Sequence, residues 1–186
     1  MIKRTPLVYL FLVLGLLPAY AREKPIDTEH STVTVHVGKS GLFSAAGHDH
    51  EVTAPIAEGA IDDSALGHIW FRIESAKLTV LPEQDQAEVQ TTMQGRVLES
   101  KSFPEIRFES TSIATVGDAK WEVSGNLTLH GQTNPVKVQV QRKKGRYEGQ
   151  ATIKQTQFGI QPVSAAGGTI KVKNELQIEF ALMARE

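Results

Sequence analysis

Two histidines, His48 and His50, stand two residues apart in the run Ala46-Gly47-His48-Asp49-His50. On an extended strand such residues point to one face, so both imidazoles reach the same ligand. Imidazole is the commonest protein ligand for metal ions, which makes the pair a candidate for metal. A third ligand has to come from His36, His30, His68, His130, Asp49 or Glu51, none at the spacing of a structural zinc site. A second reading is a polar turn, bent at Gly47, whose imidazoles cap backbone groups. In a third, both histidines stand at the mouth of a barrel and hydrogen-bond a ligand's head group. The turn or the mouth is favoured over the metal.

Other chemistry is absent from the pattern. The chain has no Gly-x-Ser-x-Gly, no phosphate loop, no dinucleotide fingerprint and no cysteine. Asp62-Asp63 beside Ser64 reads as a solvated turn, as does the basic cluster Arg142, Lys143, Lys144 and Arg146. The expectation is a binding protein, not an enzyme, with no cofactor.

The elements that must position a site are strands. Val33, Val35 and Val37 alternate with Thr32, Thr34 and His36, and Ile69, Phe71 and Ile73 with Trp70, Arg72 and Glu74. The same period of two runs through Ile106 and Phe108, through Trp121 to Leu129, through Val136, Val138 and Val140, and through Leu176 to Leu182. One apolar and one polar face per strand marks antiparallel strands around a single interior. Lys143–Arg146 reads as a hairpin turn, Gly131–Pro135 as a tight connection, and Ser164–Gly168 as a loop. One segment departs: Asp85 and Glu88 form a capping box, and Val89, Met93 and Val97 lie on one helical stripe with Gly95 between. Pro104 restricts Phe103 and returns the chain to strand. The expected fold is mainly β, an antiparallel barrel of eight strands with one inserted helix, wide enough for side chains or one elongated ligand.

The N-terminus is expected to be a targeting segment. Lys3 and Arg4 precede the apolar run Leu7–Leu17, and Ala19-Tyr20-Ala21 fits the small-x-small cleavage rule. Residues 1–21 then form a cleaved signal peptide and 22–186 a single domain, exported to the periplasm and without a transmembrane segment. Removing Lys3 and Arg4 leaves 18 basic against 21 acidic residues, a net charge of −3 that argues against nucleic acid and anionic membrane as partners. No feature sets an oligomeric state.

One longer pattern resembles a known family. It comprises Pro104, Phe108, Ser110, Gly125, Leu127, Thr128, Gly131, Thr133, Pro135 and Val136, with Asp27-x-x-His30-Ser31 before it and Phe158-Gly159-Ile160 after it. In order and spacing it is similar to the YceI-like family of periplasmic polyisoprenoid-binding proteins. The resemblance implies an extended, lipocalin-like barrel whose apolar tunnel holds an isoprenoid chain or another long-chain, quinone-like amphiphile. Candidate lining residues are Val35, Phe43, Phe71, Phe108, Leu127, Leu129, Val138, Phe158, Ile178 and Phe180. The His48/His50 run departs from the family's plainer turn, and supplies the alternative of a metal-binding or stress-related periplasmic protein. Thr156 and Gln157 stand where the family carries Arg or Asp.

Overall fold

The computed structural model describes residues 23–40, 50–62, 66–81, 86–165 and 170–185. Its main sheet is antiparallel and runs β1 (Glu23–Pro25), β5 (Ile56–Asp62), β6 (Ile69–Glu74), β8 (Glu105–Gly117), β9 (Lys120–Leu129), β10 (Gln132–Lys143), β11 (Arg146–Lys154), β14 (Glu175–Leu182), β2 (Thr32–Val37), β4 (His50–Thr53), β7 (Thr79–Leu81). A small sheet of β12 (Ser164–Ala165), β13 (Ile170–Val172) and β3 (Lys39–Ser40) joins two loops at one end.

Eleven strands make eight walls, because three walls are interrupted. β1 and β2 are parts of one wall, split by a turn at 28–30; β4 and β5 are split at Ala54-Pro55, and β6 and β7 by a short 3₁₀ turn at Ser75–Lys77. The expected eight-stranded barrel is therefore present, with sequential neighbours paired throughout. The sheet closes where the first wall meets the last. β14 pairs with β2, and beyond it Ile26 bridges Ala184, with Asp27 N–H donating to Met183 O and Arg185 N–H to Pro25 O.

The turn within the first wall fastens this seam. The Asp27 carboxylate accepts from the backbone N–H groups of Glu29 and His30 and lies 2.8 Å from His30 Nδ1. Ser31 Oγ accepts from Met183 N–H at 2.9 Å, and the Arg146 guanidinium donates to the His30 carbonyl. The Asp27-x-x-His30-Ser31 run is thus a closure motif. Arg146 holds part of it, and Arg142 lies over the Tyr147 ring at 5.3 Å, so half of the basic cluster read as a solvated turn holds the frame.

The other end is left open between β7 and β8, and the helix covers it. The helix α1 (Gln86–Thr92) passes into a π turn at Met93–Val97, where Leu98 N–H donates to Met93 O. Val89, Met93 and Val97 pack on the core as the stripe predicts, and Asp85 of the expected capping box lies outside the described residues. Gln90 acts as a substitute strand: its Oε1 accepts from Val80 N–H at 2.9 Å and its Nε2 donates to Leu78 O at 2.6 Å. Two backbone groups of the β7 edge are satisfied in this way without a neighbouring strand.

Two expectations are corrected. The connection placed at Gly131–Pro135 is shorter: His130 and Gly131, with φ of 51° and 70°, make a two-residue hairpin turn, and Gln132–Lys143 is strand. Pro135 lies in the half of β10 that pairs with β9 alone, where a missing N–H is tolerated. Asp62 is buried at the end of β5, its N–H donating to His68 O, and is not a solvated turn residue; Asp63 lies outside the described residues.

Two outcomes follow. Replacing Gln90 with Ala leaves the Val80 and Leu78 groups unpaired and costs about 1–3 kcal/mol, read by urea denaturation. The hydrogen bond from His30 holds the Asp27 carboxyl below its ordinary value of 3.8. A lowered carboxyl pKa stabilises the fold above the unfolded value, and that contribution is lost as pH falls through the lowered one. The stability difference between wild type and Asp27→Asn therefore closes as pH drops below about 3.8 in an acid-denaturation series.

Candidate functional site

Alternation along each wall decides what the interior contains. From β9 come Val123, Gly125, Leu127 and Leu129; from β10, Val136, Val138 and Val140; from β11, Ala151 and Ile153; from β14, Ile178, Phe180 and Leu182. Phe71 and Phe108, directly opposite each other on β6 and β8, stack with ring centroids 5.5 Å apart. All of these except Gly125 and Leu129 border a cavity of about 60 Å³ lined only by apolar residues.

Of the sequence candidates, Phe71, Phe108, Leu127, Val138, Ile178 and Phe180 line this cavity together. Leu129 is buried and Val35 half-buried, both in the same core but away from the cavity wall. Phe158 is fully buried, in the 3₁₀ turn Gln155–Phe158 that follows β11, and its carbonyl lies 3.2 Å from His130 Nδ1. Phe43 lies outside the described residues. Leu66, Ile69, Val123, Val136, Val140, Ala151, Ile153 and Leu182 also line the cavity. Most of these were visible in the alternation that selected the others. Ala151 was not, because a small residue on a strand gives little hydrophobic signal.

His50 pairs with Val37 at the end of β4, and alternation puts it on the same face as Val52 and Val35, toward the interior. His48 lies outside the described residues. The other histidines are drawn to carboxylates elsewhere. His36 points outward, 3.5 Å from both Glu51 and Glu179; His68 lies 2.7 Å from Glu23, His30 2.8 Å from Asp27, and His130 3.7 Å from Glu99. Among the described residues, no three His, Cys, Asp or Glu side chains come together to hold a metal. Thr156 and Gln157 serve the loop itself: Thr156 exchanges two hydrogen bonds with Asn174, and the Gln157 carbonyl accepts from Asn134.

A larger concavity of about 550 Å³ lies on the outer face of β10, β11, β14 and β2, lined in large part by Gln139, Gln141, Glu148, Gln150, Glu179 and Thr34. It is open, with Val116, Trp121, Val140, Gly149 and Phe180 beside the polar residues of its lining, and Val140 and Phe180 border the lumen as well. Among the described residues, the lumen is an enclosed space lined by apolar side chains alone. No helix among the described residues is long and apolar enough to cross a membrane.

A model of the YceI-like domain matches residues 25–184 of the chain. A UPF0312 protein of Shewanella oneidensis is 27% identical over 153 residues, covering 75% of this chain and 78% of that protein. Burkholderia cenocepacia BcnA superposes with a TM-score of 0.58 at 20% identity, over 86% of this chain and 99% of that one. A polyisoprenoid binding domain from Saccharophagus degradans, implicated in plant cell wall breakdown, superposes with a TM-score of 0.60 at 15% identity, over 87% and 98%. At these identities the structural likenesses establish the fold.

The cavity wall carries a direct test. Replacing Leu127, which is buried against the lumen, with Ala costs about 2–5 kcal/mol in chemical denaturation, the loss of transfer energy plus the enlarged cavity.

Proposed function

The chain belongs to the YceI-like domain family, and from that premise we propose that it is a periplasmic binding or carrier protein, not an enzyme, for an isoprenoid or quinone-like amphiphile. The ligand's hydrocarbon tail lies in the barrel interior, against Phe71, Phe108, Leu127, Val138, Ile178 and Phe180. Val35, Leu129, Phe158 and Phe43 extend the apolar lining, and His50 with His48 meets the head group at the mouth. Residues 1–21 direct export and are removed, leaving 22–186 as the working domain.

The observation that carries this reading is the lumen: a closed eight-walled barrel whose internal cavity is lined by apolar side chains alone. Each buried CH₂ contributes about 0.8 kcal/mol, so a long hydrocarbon tail binds tightly there without a charged anchor. The 60 Å³ of free space is below the roughly 300–1,000 Å³ of a small-molecule site. Entry of a chain therefore displaces side chains of the wall. The name of the Saccharophagus degradans domain points to the same ligand class.

The test is native purification from the periplasm, organic extraction and mass spectrometry, with metals measured on the same sample. A stoichiometric isoprenoid is the expected result. A lipid-free protein that carries zinc or copper overturns the reading and moves the function to His48 and His50.

A further inference from the structure

The lumen is bordered by two phenylalanine–glycine contacts across neighbouring strands. Phe180 on β14 stands directly opposite Gly149 on β11. Phe108 on β8 is paired with Leu127, and its ring reaches diagonally along β9 to Gly125. A Cβ built at Gly125 would stand 2.5 Å from both Cε2 and Cζ of Phe108 and 2.7 Å from the Glu109 carbonyl oxygen, and one at Gly149 would collide with the Phe180 ring and stand 2.5 Å from the Gln139 carbonyl oxygen. Neither glycine has a positive φ, so no backbone conformation requires it. Glycine weakens a strand interior, and here the contacting ring, together with a carbonyl oxygen of the neighbouring strand, supplies the reason for it. Each ring lies in the recess that the missing side chain leaves.

Between these two recesses runs β10, whose inward residues Val136, Val138 and Val140 are slim and line the cavity. The rings are thus held against the wall on either side of the remaining space. Without the recess a ring has to turn inward, and the 60 Å³ cavity has no room for it.

We propose that Gly125 and Gly149 are specificity-determining positions that keep the Phe108 and Phe180 rings out of the bore, and so select a slender, uncharged hydrocarbon chain. This rests on the lipid-binding reading above. The rings present flat apolar faces along the path of the chain, and no polar group lines the cavity to receive a head group.

The probe is geranylgeraniol, measured by displacement of the fluorescent dye N-phenyl-1-naphthylamine from the mature protein, with thermal unfolding followed for each variant. Gly125→Ala is expected to weaken binding about tenfold, as overpacking drives the ring into the lumen. The double variant Gly125→Ala/Phe108→Ala is expected to bind more tightly than Gly125→Ala, because the ring that needed the recess is gone and only the contact with the Glu109 carbonyl remains. A Gly125→Ala protein that binds like wild type, or a double variant no tighter than the single one, overturns the proposal. If Gly125→Ala does not fold, Gly149→Ala and Gly149→Ala/Phe180→Ala decide by the same comparison. Wild-type protein that binds no geranylgeraniol overturns the lipid-binding reading and this inference with it.

Discussion

Everything inside this protein depends on its first wall meeting its last. A sheet of strands joined only in sequence order has two free edges, and its inner face stays wet until those edges pair. Here the seam is made by β14 against β2 and continued by Ile26 against Ala184. The turn between β1 and β2 makes both contacts possible, since it lets one wall break and still lie along β14. The Asp27 carboxylate folds that turn and Ser31 ties it to Met183. Closure at eight strands also fixes the width of the interior, which suits side chains or one narrow ligand but not a wide pocket.

The interior divides its space unevenly. Bulky rings on β6, β8 and β14 face valines on β10 and Ala151 on β11, and two of the rings are recessed over glycines. The result is a core that excludes water and supplies folding energy, with a small residual cavity in place of complete filling. Polar chemistry is kept outside, where His36 and His68 stand among glutamates. Such exposed pairs contribute little to stability. They stand apart from the cavity, whose lining carries no charged side chain.

Much of the fold was legible because each wall neighbours the next in sequence, and alternation gave six of the eight walls with their faces. The helix was legible from the stripe Val89, Met93 and Val97. What escaped was local backbone geometry. Pro135 looked like a turn residue, and only the one-sided pairing of that part of β10 makes a strand of it. In β8, irregular pairing between Ser110 and Ser112 and between Thr115 and Gly117 interrupts the alternation and leaves Val116 65% exposed. Asp62 looked solvated because its burial comes from the hairpin folded over it, not from its neighbours in sequence. Gln90 was not singled out in the sequence, and its pairing with β7 depends on a gap that no sequence pattern displays.

The candidate site was legible in part for the same reason. Alternation tells which residues face inward, and six of the residues it selected border the cavity. It does not tell how full the interior is: a packed barrel and a hollow one share the same period of two. That difference is decided by register, which sets Phe180 against Gly149 and lets Phe108 reach Gly125. In the sequence these glycines are ordinary strand interruptions, and in the closed barrel they are the places where an aromatic ring can be bulky without blocking the bore. The contacts follow from register, since a β-branched residue at either position would meet both the ring and the neighbouring carbonyl oxygen that the glycine accommodates.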